Sequence, residues 1–110
     1  MQELQKIGFH ESTLVGIRRN DGNMRFELEG VRVGSERRNA SISLVNIQSI
    51  TQDGITVEDL PSELEDSEVL TLECTERSLR LISEHTNFKT HRNSTHSYMF
   101  HCMSVKIEIH

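Results

Sequence analysis

Residues 39–76 contain no lysine or arginine. The same stretch holds nine aspartates and glutamates, in a chain whose formal net charge is −5. Residues 1–38 carry seven Lys/Arg against six Asp/Glu, and residues 77–110 carry five against two. Nucleic-acid binding needs a basic footprint that displaces counterions from phosphates. Here the one strongly charged block is acidic, which argues against a nucleic-acid partner. Tryptophan is absent, tyrosine occurs once and phenylalanine four times. The apolar set is mostly aliphatic and suffices for one core in 110 residues, so a single domain spanning 1–110 is expected. No run approaches the ~18 apolar residues of a membrane-spanning helix, so no membrane association is expected. The opening MQELQKIGFH lacks the basic start and apolar run of a secretory signal, and the expected compartment is the cytoplasm. Asn39-Ala40-Ser41 and Asn93-Ser94-Thr95 are then chance matches to a glycosylation acceptor. The only two cysteines, Cys74 and Cys102, each sit in an alternating apolar run. They read as small buried hydrophobes, not as a disulfide. The six glycines are scattered, with neither GxGxxG nor GxxxxGK[ST], and no cofactor is expected.

What the chain does have is period-two apolar patterning. Nine Ile and seven Val favour strands. Two alternating runs flank Asp21-Gly22, a favoured two-residue turn because both central positions require φ > 0. Folding about it sets Asn20 against Asn23, Arg19 against Met24, Ile17 against Phe26 and Val15 against Leu28. The first strand is expected over Ser12–Arg19 and the second over Asn23–Val33. The apolar phase of the second shifts across Glu29-Gly30, which predicts a bulge. Gly34-Ser35-Glu36 is a connection. Ala40, Ile42 and Leu44 alternate on a third strand, and Val45, Ile47 and Ile50 follow out of phase, as a bulge or short helical turn. Asp53-Gly54 is a second turn, before Ile55-Thr56-Val57. The single proline, Pro61, bars a central strand and suits the first position of a short helix. Further strands are expected over Val69–Thr75 and Ser78–Glu84, turning at Glu76-Arg77. Residues 86–97 are polar and read as a loop with one short strand. Tyr98–Ile109 is a closing strand whose apolar phase switches from even to odd positions. Leu4 and Ile7 suit one or two helical turns before Gly8. The sum is an all-β domain, or a mainly β one with a short N-terminal helical turn. Its architecture is an antiparallel sandwich or partly open barrel of seven to eight strands.

Three sets of residues bear on function. Glu58, Asp59, Glu63, Glu65, Asp66 and Glu68 form an acidic stretch with no basic neighbour, suited to docking a protein partner with a basic surface. A solvated loop is the plainer reading, and the stretch lacks a calcium-loop pattern. His85, His91, His96 and His101 cluster near Cys102. His91/His96 and His96/His101 fit H-x₄-H, but there is no C-x-x-C partner, and His96 and His101 face opposite sides of a strand. A small metal protein or enzyme using residues 85–101 is therefore an alternative, and no metal site is assigned. His10 and Ser12 can share one face of an extended segment, with nothing marking an oxyanion site, so no catalytic residue is assigned and the protein is not expected to be an enzyme. A structural subunit whose sheet edge pairs with another copy is a further alternative.

The run Phe9-His10-Glu11-Ser12-Thr13-Leu14-Val15-Gly16-Ile17 resembles the opening of a loose set of small bacterial β proteins. Their first strand begins Phe-His-Asp-Ser/Ala and then alternates, followed later by an Asp-Gly turn and a closing strand that starts with Tyr. Asp53-Gly54 and Tyr98 stand at comparable places, and Glu11 stands where the set usually has Asp. Some members resemble immunity proteins of bacterial toxin systems. The resemblance implies a cytoplasmic, non-enzymatic β domain.

Overall fold

Asp21 and Gly22 adopt φ values of 48° and 86°, the double positive-φ turn their sequence predicts. In the computed structural model, which describes residues 7–61, 64–87 and 89–110, this turn joins β2 (Thr13–Asn20) to β3 (Asn23–Val33). The remaining strands are β1 (Ile7–Gly8), β4 (Glu36–Gln52), β5 (Ile55–Thr56), β6 (Ser67–Cys74), β7 (Ser78–Asn87) and β8 (Arg92–Ile109). All pair antiparallel in one eight-stranded sheet, in the order β1-β3-β2-β6-β7-β8-β4-β5, with β3 also pairing β4. The extra pairing curls the sheet into a partly open ring around one core. The all-β, antiparallel expectation holds, and the described residues include no α-helix. The helical turn expected before Gly8 falls mostly outside the described residues. Its described end, Ile7–Gly8, is instead a strand facing Val33 and Arg32.

The hairpin register matches the expected pairs Asn20–Asn23, Arg19–Met24 and Ile17–Phe26. The fourth pair differs: Leu14, not Val15, faces Leu28, because a bulge lies between Leu14 and Gly16. The extra residue puts Leu14 in the core, where it is buried, and leaves Val15 partly exposed. The expected bulge in β3 is present, with Gly30 at φ +73°.

β4 and β8 are single long strands whose pairing is irregular at one place, where β8 also changes apolar phase. Ala40, Ile42 and Leu44 are buried before it and Ile50 after it, while Tyr98, Phe100 and Cys102 give way to half-buried Val105, Ile107 and Ile109. Val45 pairs with Ser104 and Ile47 with Cys102, and between them Asn46 has φ +54°. The irregularity after Leu44 is thus the expected bulge, with the register shifting between Ile47 and Ser49 of one continuous strand, and not a helical turn. Before the irregularity β4 lies between β3 and the end of β8; after it, β4 lies between β5 and the middle of β8. Phe26 and Phe100 meet edge to face across the core, with ring centroids 5.4 Å apart.

Residues 86–97 are mostly strand, contrary to the expected loop. β7 and β8 pair from Ser78–His101 out to Asn87–Arg92. Arg92 to Thr95 are exposed, so this end of the ribbon buries no face that would impose alternation. The two cysteines are free; Cys102 is buried and Cys74 half-buried.

Candidate functional site: the acidic connection and the cleft beside it

β2 has a neighbour along its whole length on one side only. On the other, β6 reaches just Thr13 and Leu14. Asn20–Asn23 closes the tight hairpin and is a hydrogen-bonded pair, so pairing alternates back along β2 and the Ile17 N–H points away from β3. A main-chain donor there needs a partner, and the Glu65 carboxylate accepts it at 3.3 Å. The connection between β5 and β6 lies along this edge. Asp66 N–H donates to Leu14 O at 2.6 Å, and Leu64 N–H to Pro61 O at 3.1 Å. Ser67 Oγ donates to Leu64 O at 2.6 Å. The Leu64 side chain is buried in the core, with Leu60 packed against it. The short helix expected at Pro61 falls mostly on residues 62 and 63, outside the described residues.

The acidic side chains do not act alike. Asp59 forms an ion pair with Arg19, whose Nη1 also donates to Glu58 O at 2.9 Å. Glu65 is held at the β2 edge. Asp66 sits at φ +67° in the turn before β6. Glu68 is exposed on β6, directly opposite Glu84 on β7, a like-charge arrangement that destabilises the sheet unless it is neutralised. Glu63 lies outside the described residues. Among the described residues, Glu58, Glu65, Asp66, Glu68 and Glu84 enter no ion pair.

Beside this rim, where β4 runs past the hairpin tip, a cleft of about 520 Å³ opens. Ile47, Ile50 and Val57 supply its apolar lining, and Arg19, Glu58 and Asp59 its charged wall. A smaller hollow of about 160 Å³, lined by Ile17, Met24, Leu60 and Pro61, shares Arg19 and Asp59 with it. The Arg19–Asp59 bridge therefore lies between two recesses. Sequence reasoning missed this arrangement because Arg19 and Asp59 lie on different elements. The signal available was Val57, an apolar residue immediately before the acids.

The histidines do not converge. His91 is exposed at the ribbon turn and His101 is exposed on β8. His96 donates through Nδ1 to Asp53 Oδ2 at 2.7 Å, and Asp53 Oδ1 accepts Ser97 N–H at 2.9 Å. The Ser97 amide first, and His96 second, hold the Asp53 carboxyl below its usual range. Among the described residues no three His, Cys, Asp or Glu side chains come together where a metal ion could be held. The expected sharing of a face by His10 and Ser12 is not found. Ser12 is buried and donates to Phe9 O, while His10 is exposed and donates to Leu70 O at 2.8 Å. A Ser–His contact does join Ser41 and His110 at 3.1 Å, but Ser41 is buried and out of reach of a substrate. Burial pushes the Cys74 thiol up to about 12 and also raises that of Cys102, the reverse of an activated nucleophile. Compared with protein-family models, curated proteins and solved structures, the chain matches none. No helix among the described residues is long and apolar enough to cross a membrane.

Proposed function

We propose that this protein is a non-catalytic binding module that captures a protein partner through a basic, amphipathic segment, in the manner of an immunity-type protein neutralising a basic effector. The observation that carries the reading is that, among the described residues, Glu58, Glu65, Asp66 and Glu68 enter no ion pair. Among the described acids of this stretch only Asp59 has an arginine, and the Glu68–Glu84 pair sets like charges opposite each other. A cation supplied by a partner relieves that repulsion and gains steering from the surrounding field. The adjoining cleft offers apolar area to the non-charged face of the same segment. The likeness of Phe9–Ile17 to small bacterial β proteins points the same way.

The test is titration of the full chain with candidate basic effector domains at low and moderate salt. Binding weakens steeply with salt, and the triple variant Glu58→Gln/Glu65→Gln/Glu68→Gln loses at least about tenfold in affinity. Gln48→Trp, which fills the cleft from an exposed position, weakens binding without changing its salt dependence. Salt-insensitive binding, or full affinity in the triple variant, counts against the reading.

A further inference from the structure

The end of β8 carries a second interaction surface, independent of the acidic connection. From Ser104 to Ile109, β8 pairs with β4 on one side. β7 stops at Ser78, opposite His101, so among the described residues the other side has no strand beside it. The direction of the main-chain groups there follows from the ladder. His110 N–H donates to Asn39 O at 2.8 Å, which makes Asn39–His110, Ser41–Glu108 and Ser43–Lys106 the hydrogen-bonded pairs. Val105, Ile107 and Ile109 alternate with these and turn their N–H and C=O groups to the free edge. Their side chains are half-buried against the core, while Lys106 and Glu108 are exposed. Two of the exposed large hydrophobics, Val45 and Met103, flank the start of this stretch.

A bare edge invites another strand, and a lysine on it is a common deterrent. Here the lysine is two residues from a glutamate, and that spacing makes the deterrent selective. The geometry points to a second copy of this chain as the occupant, paired antiparallel and centred on Ile107. In that register Ile107 faces Ile107 of the second copy and Val105 faces its Ile109, so outward main-chain groups meet outward groups. Lys106 then faces Glu108 of the second copy, twice by symmetry, in non-hydrogen-bonded positions where side chains stand closest. Sliding the copies so that Lys106 meets Lys106, or Glu108 meets Glu108, keeps the main-chain match but opposes like charges. The charges thus select one isologous two-fold pairing. It extends the β3-β4-β8 part of the sheet across the axis and joins the Val105–Ile107–Ile109 stripes of both copies.

Sedimentation equilibrium of the full chain from micromolar to millimolar concentration tests this. The expected result is a monomer–dimer equilibrium that Lys106→Glu and Glu108→Lys each weaken by about tenfold or more, since each makes both cross-strand pairs repulsive. The double variant Lys106→Glu/Glu108→Lys restores the attraction with reversed polarity and recovers dimerisation to within about threefold. Circular dichroism confirms that each variant is folded. In parallel, amide exchange at Val105, Ile107 and Ile109 in the unaltered chain slows as concentration rises. A chain that stays monomeric throughout, or a dimer indifferent to the single substitutions or not rescued by the double one, overturns the proposal. None of these outcomes depends on the acidic connection.

Discussion

Asn23 accepts the main-chain N–H of Asn46 on its side-chain Oδ1 at 2.8 Å. Beside it, the Gly22 carbonyl accepts Ile47 N–H at 2.7 Å. The tip of the first hairpin therefore grips β4 at the one residue of that strand with positive φ. That residue stands beside the place where the pairing of β4 with β8 is irregular. A turn encoded locally by Asp21-Gly22 thereby fixes a corner of the sheet twenty-odd residues on.

Asn23→Ala removes that grip and leaves an amide without its acceptor. Being partly solvated, the site loses about 0.5–1.5 kcal/mol of stability. Asn23→Asp keeps the acceptor and stays near the unaltered value. Urea denaturation of the two variants checks the difference.

Asp53 contributes to the acid limb of stability. Its carboxyl has a lowered value in the folded chain, so its contribution is fully present above the unfolded value of about 3.9 and is lost as pH falls through the folded value. Asp53→Asn removes the charge and retains an acceptor for Ser97 N–H. The variant is expected to show a shallower fall in melting temperature on acidification below pH ~4, measured by thermal denaturation at a series of pH values.

Leu64 is the anchor of the acidic connection. Leu64→Ala empties a buried position and costs about 2–5 kcal/mol. The loss is local in its first effect: the Ile17 amide, held by Glu65 in the same connection, exchanges faster than amides of β4 and β8. Hydrogen exchange followed residue by residue checks this.

The two thiols are expected to be slow toward a disulfide reagent at neutral pH. Burial raises both, Cys74 to about 12, and only the thiolate reacts. In denaturant both react at the rate of free cysteine. A fast phase in the native chain would contradict the burial seen for Cys102.

Much of this fold was legible because one face of each strand had to be apolar. Asn23–Val33, the Gly30 bulge and the Asp53-Gly54 turn all follow from where alternation holds, slips or stops. The pairing of Val15 with Leu28 failed because Leu14 and Val15 are equally apolar, and a bulge after Leu14 is invisible when either choice fills the core. The ribbon beyond Glu84 failed for the opposite reason: its outer end buries no face, so strand leaves no period-two trace there. At the candidate site, the density of acid along 58–68 was plain from composition. That Asp59 is used by Arg19 and Glu65 by the Ile17 amide was not, because both contacts join residues some forty or more positions apart.

The ring closes unevenly. β4 and β8 are laced together from Ala40–Ile109 to Gln52–Tyr98, whereas the pairing of β2 with β6 is limited to Thr13–Glu68 and Leu14–Ser67, prolonged by the main-chain bonds of Val69 with Ser12 and Glu11. A fabric stitched this way opens first along its shortest seam, and the acidic segment lies along that seam. Breathing of the native chain therefore starts from these few contacts, and whatever tightens them slows the opening of the ring.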